Sequence, residues 1–365
     1  MSEETKKNQL NNITTIEDLL ADSHENVMED YYELAESIYD EFDVNSHKKG
    51  HGYSCPTFPI LNEKMEGLEE GLYIFAGESN SGKTAMMTNF LWAYCSNPEN
   101  KLFGIYYSLD DNTDEVIPRL IAMNQRIPIS VGSKPTRYID YLNENKDNPD
   151  QTVQSLCLKY SEYLEKREAG LKQLKEANKQ FLILDRQKIQ SFEQLLDHAK
   201  KVQMYVKRFD PDNNIIIAID SLADLNVDKN FSTERERTDY IAKIVKRAAN
   251  IDLKIPIFTS YHVRKLNHSG RPTLDDIKES SRIVYEASLA FLVFNDVSKN
   301  KQAASVYVTS EEDNEKHPVI ELDWAKNKKS SYKGRTYHYF IPNYSCVTEC
   351  SKEAMDRYDN IIYTK

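Results

Sequence analysis

Two glycines, a lysine and a threonine stand at fixed offsets in AGESNSGKTAMM, residues 76–87. Gly77, Gly82, Lys83 and Thr84 satisfy G-x-x-x-x-G-K-[ST], the spacing of a loop whose backbone N–H groups wrap a nucleotide β-phosphate. Glu78, Ser79, Asn80, Ser81 and Ala85 complete that loop. Lys83 is placed to reach the β and γ oxygens, and the Thr84 hydroxyl to ligate Mg²⁺, so the expected cofactors are ATP, or another NTP, and Mg²⁺. The competing reading is a glycine-rich turn with an exposed lysine. Context argues against it: LYIFA reads as a strand entering the loop and AMMTNFLWAYC as a helix leaving it. Such a site also needs a carboxylate at the end of a buried strand to hold the Mg²⁺ shell. NIIIAIDSL places Asp220 there, after five apolar residues, although an aspartate in that position can also simply cap the next turn.

The elements around these residues read as an α/β fold. GLYIFAG, LFGIYYSL, QFLILD, NIIIAID, KIPIFTSYH and ASLAFLVF are strand-length and nearly continuously apolar, alternating with helical stretches, as in a parallel sheet covered on both faces. VIELDWAKNKKSS and GRTYHYFIP alternate like an added antiparallel pair. Between the second and third strands, Leu156, Tyr160, Tyr163, Leu164, Leu171 and Leu174 mark an amphipathic helix, expected to cover the sheet rather than to form a coiled coil. Near the N-terminus Thr14 and Glu17 suggest a capping box. A helix from about Glu25 then carries Met28, Tyr31, Ala35, Ile38 and Phe42 as one narrow apolar seam. Gly50 and Gly52 mark a linker. The expected organisation is a helical segment with linker at 1–51, an ATPase domain at 52–345 and a tail at 346–365.

Composition sets limits on function. Of 365 residues, 40% are hydrophobic and 29% charged, enough for a folded core. The absence of a basic-then-apolar start or a membrane-length apolar run points to a cytoplasmic protein without a membrane partner. Cys55, Cys95, Cys157, Cys346 and Cys350 form no disulfide framework and read as free thiols. His47, His51 and Cys55 recur at four-residue steps, but the intervening glycines oppose a helix there, and zinc needs four converging ligands. A net charge of −11 argues against a broad basic surface, whereas a ring or channel for nucleic acid needs only local positive charge.

TFPILNEKMEGLEEGLYIFAGESNSGKTAMMTNFLWA, YYSLDDNTDEVIPRLIA, IIIAIDSLADL, IPIFTSYHVRK, GRPTLDDIKESSRIVYEASLAFLVFND and AKNKKSSYKGRTYHYF occur in the order found in DnaB-type replicative helicases. Over roughly 52–345 the chain resembles their RecA-like motor domain. The resemblance implies a homo-oligomeric ring, usually a hexamer, with ATP between neighbouring subunits and single-stranded DNA in the channel. It makes a primase or a loader a further candidate partner. Where the family carries a water-activating Glu this chain has Asp110, one methylene shorter, which implies slower hydrolysis unless the backbone compensates; the alternative for Asp110 is a helix N-cap. His262 matches the γ-phosphate sensor position. Arg264, Lys265, His268 and Arg271 match the loop that tracks the DNA backbone. Lys326, Asn327 and Lys328 stand where the family's K-x-R pair reaches into the neighbour's site, so Lys326 and Lys328 take that role and Arg335 is a substitute. The family's sizeable helical N-terminal domain has no counterpart in the fifty or so residues before the motor. The order of motifs favours a DNA translocase or helicase. The departures at Asp110 and Lys328 favour an ATPase whose nucleotide state controls assembly or partner binding without unwinding.

Overall fold

The computed structural model describes residues 25–48, 52–176, 180–264, 270–277, 282–295, 305–307 and 316–363. The chain divides into two compact units, Met1–Gly52 and Tyr53–Lys365. In the first, helix α1 spans Glu25–Lys48, starting where the seam predicts, and Ile38 and Phe42 on that seam are exposed. The capping box at Thr14 and Glu17, together with His51, lies outside the described residues.

The second unit is built on a sheet of order β10-β9-β8-β6-β1-β5-β4-β2-β3, with β7 (Ser305–Tyr307) pairing β8. Its parallel part consists of β1 (Gly71–Gly77), β2 (Leu102–Ser108), β3 (Phe181–Asp185), β4 (Asn214–Asp220), β5 (Pro256–His262) and β6 (Leu289–Asn295). All six strands read from the sequence are present. β8 (Lys316–Asn327), β9 (Arg335–Ile341) and β10 (Cys346–Glu349) extend it antiparallel, as the alternation of the last two runs predicts for β8 and β9.

Continuous apolarity follows from burial on both faces. Leu72, Ile74 and Ala76 of β1 share one cluster with α8 (Phe192–Phe209), α9 (Glu234–Arg247) and α10 (Arg282–Glu286). Tyr73 and Phe75 point the other way, into a cluster with α2 (Pro59–Met65), α3 (Lys83–Ser96) and α4 (Thr113–Gln125). Helix α3, which carries the loop lysine at its first turn, buries Met86, Met87, Phe90, Leu91 and Tyr94, so its position is over-determined by packing.

After the short helices α5 (Ile129–Ser133) and α6 (Pro135–Glu144), the amphipathic stretch forms α7 (Gln151–Glu176). Most of its apolar face does not cover the sheet directly. Val116, Leu120 and Met123 of α4 already occupy that position, so Tyr163, Leu164 and Leu171 pack around Ile121, Ile127 and Val131 behind α4. Gly170 permits the close approach: a Cβ there would sit 2.7 Å from Gln125 Cγ. The segment from Cys346, read from the sequence as a tail, supplies the edge strand β10 and α11 (Lys352–Tyr363), whose Ala354 and Tyr358 are buried against Val319, Tyr337 and Tyr339.

Two stability predictions follow from this core. Phe75 stacks on Phe291 with centroids 5.1 Å apart and meets Phe90 and Phe258 edge-on, two residues before Gly77. Phe75→Ala is expected to cost about 3–5 kcal/mol in denaturant unfolding; a loss below about 1 kcal/mol would show the centre of the sheet to be plastic. His338 is fully buried against Phe58 and Phe90, and burial pushes its imidazole down to about 3. The unfolded chain takes up that proton near pH 6.5 while the folded chain refuses it, so stability is present above pH 6.5 and is lost toward pH 3, by about 1.4 kcal/mol per pH unit. The variant His338→Gln should flatten that slope, and an unchanged slope would assign the acid sensitivity elsewhere.

Candidate active site

β1, β5, β4 and β2 end side by side: Gly77 pairs in register with His262, and Ser108 with Asp220. The carboxyl edge of a parallel sheet is where polar groups collect without disturbing the core. Between Gly77 and α3 the loop needs its glycines. Gly82 has φ 96°, and a Cβ there would lie 2.5 Å from Ile320 Cδ1. At Gly77 a Cβ would lie 2.6 Å from the Val293 carbonyl. Asn80 also takes positive φ, at 63°.

Lys83 is buried and donates to the carbonyl oxygens of Gly77 (3.0 Å) and Glu78 (2.7 Å), folding its side chain back over the loop. Burial lowers its ammonium to about 8, while Asp220, Asp110 and Glu78 pull the other way. A cation held in so dry a place gains strongly from an anionic ligand. The Ser81 hydroxyl, also in the loop, is buried without a hydrogen-bond partner. Buried polar atoms are nearly always satisfied, so this orphan and the buried lysine suit an oxygen-rich ligand in the loop.

Asp220 is the hub opposite the loop. Its Oδ2 accepts from Thr84 Oγ1 at 2.8 Å and from Tyr106 OH at 2.7 Å, and its Oδ1 accepts from Ser260 Oγ. The Asp220 carbonyl also accepts the backbone N–H groups of Leu109 (2.5 Å) and Asp110 (3.1 Å). That staple holds the β2–α4 turn beside β4 and sets Asp110 at the rim. The α4 N-cap is Asn112, which removes the capping alternative for Asp110. Partial burial raises the Asp110 carboxyl, helped by Asp224, Asp111 and Asp220 and opposed by His262. Burial lowers His262, with Lys83 adding to the effect, which favours a neutral imidazole at the end of β5.

A cleft of about 690 Å³ runs from the loop between Asp110 and His262 on one side and Pro318, Phe340 and Pro342 on the other. Arg119 of α4 also lines it and is ion-paired with Asp111. Sequence reading missed Tyr106, Ser260 and the Asp111–Arg119 pair. The available signal was weak: hydroxyl residues near the ends of otherwise apolar strands, in YYS and FTSYH.

Other predicted residues lie apart. β8 runs away from the phosphate loop, with Ile320 opposite Asn295 and Asn327 opposite Leu289, so Lys326 and Lys328 sit at the far end of the sheet. The Lys326 ammonium donates to the carbonyls of Val284 (2.6 Å) and Tyr285, and burial followed by Lys328 lowers it to about 8. Lys328 is exposed, 5.7 Å from the Tyr285 ring centroid. Of the expected DNA loop, Arg264 is exposed, while Lys265 and His268 lie outside the described residues. Arg271 departs from that expectation: its Nε donates to both Glu321 oxygens (2.7 and 2.8 Å), and its guanidinium lies over Phe294. Arg335, the substitute finger, is likewise ion-paired with Glu321, at 3.0 Å. The buried carboxylate draws both arginines inward.

No helix among the described residues is long and apolar enough to cross a membrane. No curated protein matches the sequence. Among solved structures, the ATPase domain of G40-P is similar at 19% identity, TM-score 0.64, over 87% of this chain and 98% of that one. A DnaB-like replicative helicase solved for its interactions with primase is similar at 19% identity, TM-score 0.64, over 92% of this chain and 70% of that one. The family model of the DnaB-like helicase C-terminal domain matches residues 56–344. Residues 56–344 contain the phosphate loop, Asp110, Asp220 and His262, and the chain belongs to the DnaB-like helicases, enzymes that hydrolyse nucleoside triphosphate to drive unwinding.

Proposed function

We propose that copies of this chain form a ring, six in the arrangement usual for the resemblance, that hydrolyses ATP or a related NTP between neighbouring subunits and moves along single-stranded DNA. The observation that carries this reading is the meeting of Lys83, the Thr84–Asp220 pair, Asp110 and His262 at one edge of the sheet, with Lys326 and Lys328 at the opposite end. One copy alone cannot bring both sets to one phosphate.

Thr84 and Asp220 offer a hydroxyl and a carboxylate, hard oxygen donors that fit Mg²⁺ with the remaining positions left to water and phosphate oxygens. When bound, Mg²⁺ would neutralise charge on the β- and γ-phosphates. Lys83 binds the same oxygens. Asp110 takes the proton of the attacking water, and its partly raised carboxyl makes it a better base than an ordinary aspartate. Neutral His262 donates a hydrogen bond to the γ-phosphate and, through β5, connects it to the loop beginning at Arg264. Phe340 and Pro342 form the apolar end of the cleft and hold the base. Lys328 of a neighbouring copy stabilises the γ-phosphate charge in trans, with Lys326 fixing the end of β8 beside it.

Arg264, Lys265 and His268 track the DNA backbone without regard to sequence. The motor occupies 52–345, together with β10 and α11. The exposed seam of α1 docks on an adjacent copy, because an isolated amphipathic helix is marginal in water. A primase or a loader binds the assembled ring.

Steady-state ATPase measurements with and without oligo(dT) test this reading. Wild type should be stimulated severalfold by DNA, Lys83→Ala should lose hydrolysis by at least about a hundredfold, and Asp110→Asn by about 10²–10⁴-fold with nucleotide binding retained. Hydrolysis indifferent to DNA, or unaffected by Asp110→Asn, would favour an ATPase whose nucleotide state governs assembly alone.

A further inference from the structure

The described ends of the segment after β5 are held together. At its base Val263 and Ile277 form an antiparallel bridge, and Arg264 N–H donates to Asp276 O at 2.7 Å. This segment approaches the phosphate loop at two points, once by contact and once across a crevice. Val263 N–H donates to Gly77 O at 3.2 Å, and Pro272 lines a crevice with Glu78, Ser79, Asn80 and Ser81. Arg271 immediately precedes that proline and is clamped by Glu321, whose side chain is 1% exposed. Glu321 also holds Arg335 and accepts from Tyr358 OH at 3.5 Å. Arg271 Nε is thus shared between both Glu321 oxygens, and a charge-assisted bond in so buried a place fixes geometry more strictly than a solvated pair does.

We propose that Arg271 is a strut rather than a DNA contact: held by Glu321, it seats Pro272 against the phosphate loop, so that strain placed on the basic segment by DNA reaches the nucleotide. Arg271 and Glu321 are therefore positioning residues for DNA-stimulated hydrolysis. The inference rests on the DNA-dependent motor reading. It adds to that reading a discrete mechanical link between β8 and the phosphate loop, which a sequence-level assignment of Arg271 to DNA conceals. A physical link of this kind is established by coupling between sites, not by proximity alone.

The test uses the full chain and oligo(dT), with ATPase rates and DNA affinity measured across salt for wild type, Glu321→Gln, Arg271→Gln, Arg271→Lys and the double Gln variant. Glu321→Gln is expected to keep its DNA-free rate within about twofold while losing DNA stimulation about tenfold. Arg271→Gln should lose stimulation equally with its salt slope unchanged, and the double variant should be no worse than either single one, since both break one link. Arg271→Lys separates the roles and avoids a large packing defect. A lysine still neutralises phosphate, so a DNA contact would survive, whereas it carries a methylene where Arg271 has its Nε donor, so the bond to Glu321 would not. Near-wild-type stimulation in Arg271→Lys, or a salt slope lowered by about 0.7 in Arg271→Gln with Glu321→Gln normal, would overturn the strut. A wild-type chain that DNA fails to stimulate would instead overturn the motor reading on which it rests.

Discussion

The site depends on the burial of one carboxylate, Asp220, at the end of β4. A carboxylate in a dry place is tolerated only when donors surround it. Here Thr84, Tyr106 and Ser260 arrive from α3, β2 and β5, three elements that the sheet brings together and the chain does not. The carbonyl of the same residue staples the turn carrying Asp110. Satisfying Asp220 therefore assembles the phosphate loop helix, the turn that carries Asp110 and the end of β5 that carries His262 in one step. Parallel strands make this possible, because their carboxyl ends collect at one edge while helices seal both faces.

The same sheet separates the remaining chemistry. The antiparallel course of β8 beside β6 carries Lys326 and Lys328 away from the loop in their own subunit. Under the proposed reading a group so placed serves a nucleotide only across an interface, and hydrolysis is then a property of the assembly. Replacing arginine by lysine there gives up a planar fork for a point charge, and replacing glutamate by Asp110 gives up a methylene.

Much of this was legible in the sequence because local patterns produced it. Continuous apolar runs predicted all six parallel strands, and the glycine spacing predicted a loop whose positive φ at Gly82 only glycine accepts readily. Asp220 was legible as the polar end of an apolar strand. Tyr106, Ser260 and Arg119 were not, since their roles arise from strand register and helix packing between distant segments. For Arg271 the sequence did not announce the partner that the structure shows. Its neighbours Arg264, Lys265 and His268 suggested a basic loop, but the side chain's partner, Glu321, lies fifty residues further on. Likewise α7 announced an apolar face without announcing that α4 had already covered the sheet.

The most direct test of a site shared between copies is a mixing experiment. Chains carrying Lys83→Ala lack the phosphate lysine, chains carrying Lys328→Ala lack the proposed trans cation, and each population alone should be nearly inactive. Mixed rings would place an intact phosphate loop from one chain beside an intact Lys328 from the other. The account predicts that DNA-stimulated hydrolysis reappears on mixing, highest near equal proportions. Activity that never exceeds the sum of the separate populations would contradict a nucleotide site built between subunits.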